Sequence, residues 1–104
     1  MRLVDLHPRF LGAGGPGITN SKTGEEVPRR EGVGVMFDCP CGCDSPCYVP
    51  FANPLDGGPA LESGHPVWQR VGETFEDLTL TPSILRMRTC DWHGYVTKGE
   101  IITL

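Results

Sequence analysis

Four of the five cysteines in this chain fall within Cys39-Pro40-Cys41-Gly42-Cys43 and, four positions on, Cys47; the fifth opens Cys90-Asp91-Trp92-His93. Thiolates and imidazoles are the ligands of tetrahedral zinc, and such sites draw one pair from a tight turn and the rest from a distant element. The first segment has the composition of that turn. Proline restrains its backbone and glycine lets it reverse, so that sulfurs can face one ion. The second segment, about fifty residues later, offers a Cys-x-x-His. Six candidates, Cys39, Cys41, Cys43, Cys47, Cys90 and His93, compete for four places. The expected set is Cys39, Cys41, Cys90 and His93, with Cys43 the replacement for either early cysteine and Cys47 a half-buried thiol on the strand that follows. Two structural readings stand beside this one: five reduced packing cysteines, or a Cys43–Cys47 disulfide. Thiols at this density favour a metal over either. An ion held by four protein ligands activates no water, so the expectation is one structural Zn²⁺, contributing on the order of 10 kcal/mol to folding.

Composition explains why such a staple is wanted. A chain of 104 residues with 38% hydrophobic residues, 14 glycines and 10 prolines makes one modest core surrounded by loops. A net charge of -4 and a pI near 5.2 argue against nucleic acid as a partner. A basic face could begin only at Arg29, Arg30, Arg86 and Arg88. Asp5, His7, Pro8 and Arg9 interrupt any signal sequence, and no apolar run approaches the length of a membrane span. The expectation is a cytoplasmic protein, or a virion component if phage-encoded, with its thiols reduced.

The elements that must position the cysteines read as short strands. In "GVGVMFDC" Val33, Val35, Phe37 and Cys39 share one parity, so a strand burying that face runs into the cysteine cluster. "CYVPF", "VWQRVG" and "LTLTPSILRMR" are further strand candidates, with Leu78, Leu80 and Ile84 facing the core and Pro82 marking a bend or an edge. "HGYVT" and "EIITL" flank Lys98-Gly99, a two-residue hairpin turn. Residues 1–11 form an arm, 12–32 and 52–66 long loops, and "GETFEDL" one turn at most. The fold class is all-β: a single domain over 1–104, with arm and loop over 1–32 and the main body over 33–104.

Other motifs carry less. Gly12 to Gly17 spells G-x-G-x-x-G without the flanking strand and helix of a dinucleotide site. The cysteine spacing and the absence of a His-x-Glu exclude a zinc deaminase. His65, Glu73, Glu76 and Asp77 read as solvated loop residues, and Trp68 and Trp92 as core anchors.

"FDCPCGC", "LTLTPSI" and "CDWHGYVTKGEI" together resemble a family of small uncharacterised zinc-binding proteins of bacteriophages and bacteria, over residues 33–104. The resemblance implies metal ligands at Cys39, Cys41, Cys43 and His93, with Cys90 matched in some members only. Some members are labelled "ammonia monooxygenase", which this chain contradicts because it has no membrane span. The functional expectation is a non-enzymatic, phage- or prophage-encoded module that binds an unidentified protein through its long loops. The alternative is a small zinc-dependent hydrolase, with an open metal position and Glu76 or His65 beside its water.

Overall fold

A computed structural model describes residues 1–43, 45–61, 66–86 and 90–104. Among the described residues, seven strands follow one 3₁₀ turn at Leu3–Leu6: β1 (Arg9–Ala13), β2 (Arg30–Phe37), β3 (Cys47–Pro50), β4 (Gln69–Val71), β5 (Thr79–Leu85), β6 (His93–Thr97) and β7 (Glu100–Thr103). They form two antiparallel sheets, β1-β2-β3 and β4-β5-β6-β7. The protein is all-β, as its strand-length apolar runs and its glycine and proline content require.

The sheets meet at Trp68, whose N–H donates to the Pro50 carbonyl at 2.9 Å and whose carbonyl accepts from the Ala52 N–H at 2.8 Å, beside a parallel bridge to Phe51. Between them Val35, Phe37 and Val49 of the first sheet, with Phe51 just past β3, pack with Leu80, Ile84 and Val96 of the second and Leu78 just before β5. Val33, Val35, Phe37 and Cys39 are all buried, so the alternation along β2 does lead the core into the cysteine segment. The N-terminal residues are built into this body. Leu3 is fully buried, the Leu3 N–H donates to the Gly99 carbonyl at 2.8 Å, and β1 pairs along β2.

The β6–β7 turn takes positive φ at both Lys98 (46°) and Gly99 (74°), as a tight hairpin of right-handed twist needs. A Cβ on Gly99 would strike the Glu76 carbonyl oxygen, so steric demand reinforces the conformational one. Pro82 lies inside the sheet rather than at its edge, because the strand is bent there. Leu80 pairs with Val96 and Ile84 with Gly94, which leaves Thr81, Pro82 and Ser83 opposite the single residue Tyr95. Proline has no N–H for the ladder, and a bulge is where a sheet accommodates it.

Candidate active site and metal-binding cluster

The β2–β3 connection turns at Gly42, where φ is 86° and the N–H donates to the Cys39 carbonyl at 3.0 Å. That reversal gathers Cys39, Cys41 and Cys43. Cys90 arrives from the β5–β6 connection, whose ends are tied by Arg86 N–H to the Trp92 carbonyl (2.9 Å) and Asp91 N–H to the Arg86 carbonyl (2.8 Å). The four sulfurs lie within 4.8 Å of one another, and Cys39 Sγ is 3.3 Å from both Cys41 Sγ and Cys90 Sγ. A tetrahedral ion bound at about 2.3 Å separates its sulfurs by about 3.8 Å, so this cluster could hold a metal ion. Arg86 Nη1 donates to the Ser45 carbonyl at 2.7 Å and stands 3.8 Å from Cys43 Sγ, placing a guanidinium beside the thiols.

The thiols differ in acidity. Burial pushes Cys39 up, but the Cys41 N–H together with the side chains of Cys41, Cys90 and Arg86 outweighs it and brings this thiol down to about 6. At Cys41 the Cys43 N–H pulls downward, yet the adjoining Cys90 and Cys39 thiols prevail and push it up to about 12. Cys39 therefore ionises readily, whereas Cys41 sheds its proton only against a bound cation. Cys47, buried on β3, is pushed up to about 12 chiefly by desolvation and lies outside the four-sulfur group.

His93 stands elsewhere. It begins β6 on the face away from the core, while Trp92 before it is buried, and its Nε2 lies 2.9 Å from Ser83 Oγ. The bulge in β5 presents Ser83 to that imidazole, and the Ser83 carbonyl accepts from Trp68 Nε1 at 3.3 Å. Both side chains are half-buried. A hydroxyl at this distance from an imidazole can lose its proton to it while attacking an electrophilic carbon, which is the requirement for nucleophilic acyl transfer. Sequence reasoning missed Ser83. Its signal was its place in the LTLTPSI segment, ten residues before the His93 of CDWHGYVTKGEI, with no nucleophile-elbow motif around it.

A family model described as bacterial ubiquitination-like system serine protease (BubE) matches residues 18–104, a span that contains both clusters. The chain belongs to this family. No match was found among curated proteins or among solved structures. Membership overturns the expectation of a non-enzymatic protein-binding module, since the family is one of proteases, and it favours the hydrolase alternative. It supports a small bacterial family, and lends none to a phage origin.

The remaining acid/base candidates sit apart from Ser83. Glu73, Glu76 and Asp77 are exposed, and Asp77 Oδ1 accepts from the N–H and hydroxyl of Thr74 at 2.9 and 2.7 Å, closing the turn before β5. His65 lies outside the described residues. Among the described residues no helix is long and apolar enough to cross a membrane.

Proposed function

We propose that this protein is a serine protease of a bacterial ubiquitination-like system, with Ser83 as nucleophile and His93 as general base. The 2.9 Å approach of Ser83 Oγ to His93 Nε2 on the outer face of the four-stranded sheet carries this reading. Ser83 Oγ attacks the scissile carbonyl carbon as its proton passes to His93 Nε2. The C–N bond then breaks, and the imidazolium returns that proton to the leaving amine. Water, deprotonated by His93, attacks the acyl-Ser83 ester and restores the hydroxyl with release of the acid. In this reading Cys39, Cys41, Cys43 and Cys90 would hold one structural zinc, which would supply a cross-link between the β2–β3 and β5–β6 connections. Held by four thiolates, such an ion would have a structural task only, and in this reading His93 activates the hydrolytic water.

The test is labelling with an alkyl fluorophosphonate followed by peptide mass spectrometry. One adduct per chain is expected on Ser83, and none in S83A. Absence of an adduct in the wild-type protein refutes the reading; so does full proteolytic activity in S83A.

A further inference from the structure

The face of the four-stranded sheet turned away from the core is mixed in character. Cross-strand partners share a face, and residues two apart on one strand do so as well. Leu85 pairs with His93, and Tyr95 with Ile102. The Leu104 N–H donates to the His93 carbonyl at 2.8 Å, continuing the row beyond β7. Two rows result: Leu85, His93 and Leu104 in one, and the Ser83 bulge, Tyr95 and Ile102 in the other. With strands about 4.8 Å apart and alternate residues about 7 Å apart, the four apolar side chains are immediate neighbours of the reacting pair.

Each of them faces solvent: Leu85 is 51% exposed, Tyr95 37%, Ile102 45% and Leu104 64%. The rest of this face, reading toward the Lys98-Gly99 turn, is polar at Gln69, Thr79, Thr81, Thr97 and Glu100, with Val71 as a lone exposed apolar residue. Scattered exposed apolar residues need no account, but a contiguous group around a nucleophile does. None of the four packs in the core. Among the described residues, one cavity opens beside Met1 and Cys39 and another beside Phe10 and Leu55. The two rows carry, among the described residues, no Asp, Glu, Lys or Arg.

We propose that Tyr95 and Ile102, flanked by Leu85 and Leu104, are the specificity-determining surface of the protease, seating an apolar side chain on the acyl side of the scissile bond of an extended peptide. The inference rests on the assignment of Ser83 and His93 given above. Tyr95 is the residue opposite the Ser83 bulge, so a peptide whose carbonyl reaches Ser83 Oγ lays the side chain of that same residue over Tyr95 and Ile102. Among the described residues of these rows no charged group would partner an acidic or basic side chain there, and an apolar one would cover surface already exposed.

Matched peptidyl diphenyl phosphonates, identical except for leucine or aspartate at the phosphorus-bearing residue, test this on the full chain by the rate of Ser83 adduct formation. The leucine probe is expected to react about tenfold faster or more, the scale on which small apolar contacts discriminate. Y95S and I102S should each lower that ratio severalfold, whereas V71S, on the same face but distant, should leave it at the wild-type value. Equal rates for the two probes in the wild-type protein overturn the proposal, as does an unchanged ratio in both Y95S and I102S. The simple fluorophosphonate, which carries no peptide, separates the two claims. If it labels Ser83 while the matched probes react equally, the specificity surface alone is wrong; if it does not label Ser83, the catalytic assignment fails and takes the proposal with it.

Discussion

Removing Cys90 from the sulfur cluster by C90S, or removing the metal with a chelator, should cost this protein a large part of its stability and loosen its reacting pair. Cys39 and Cys90 are 51 residues apart in sequence, and their sulfurs are 3.3 Å apart in space. A cross-link closing a loop of that length removes about 4 kcal/mol of chain entropy from the unfolded state at 25 °C. Domains of this size are stable by only about 5–15 kcal/mol, and for them each kcal/mol moves the melting temperature by about 4–8 °C. The zinc-loaded wild-type protein should therefore melt about 15–30 °C above its chelated form, and C90S should melt near the chelated value whether or not zinc is present. The same cross-link holds the Arg86–Trp92 connection, which joins the strand of Ser83 to the strand of His93. Below the melt, fluorophosphonate labelling of Ser83 should consequently slow in C90S. Differential scanning calorimetry with metal analysis reads the first effect and labelling kinetics the second. Coincident melts for loaded and chelated wild-type protein would refute the idea that an ion unites the two connections.

Two further outcomes follow from named contacts. H93A should lower turnover by about 10²–10⁴-fold, the contribution of a positioned general base, while its melt shifts by less than about 10 °C because a half-buried hydrogen bond contributes only about 1 kcal/mol. A collapse of the fold in H93A would instead assign this histidine a structural task. Arg30 donates through Nε and Nη2 to both carboxylate oxygens of Asp56, at 2.8 and 2.9 Å, and its side chain holds Asp56 down at about 2, helped by the Gly58 N–H. A depressed carboxyl contributes stability that is fully present above its unfolded-state value and is lost as pH falls through its folded value. R30M should thus move the midpoint of acid unfolding, followed by circular dichroism, to higher pH; an unmoved midpoint would show that this pair has no part in acid tolerance.

Much of the fold is legible in the sequence alone. Period-two apolar residues from Val33 to Phe37, the Lys98-Gly99 turn and the scarcity of helix-length runs determine short strands, since local sterics and burial parity decide them. Clustered thiols likewise point to a group that could hold a metal ion, because ligand chemistry is a property of residue type and proximity along the chain. The bend at Pro82 could be read from its missing N–H, but not what that bend was for. Pairing across the β5–β6 ladder decided that His93 meets Ser83, while the reversal at Gly42 decided that Cys43, already a candidate from its spacing, joins Cys39, Cys41 and Cys90. Serine and histidine are ordinary residues on a strand. Only register, a bulge and the choice of which face turns outward bring that hydroxyl within reach of that imidazole, and these are fixed by packing the whole core rather than by any local segment.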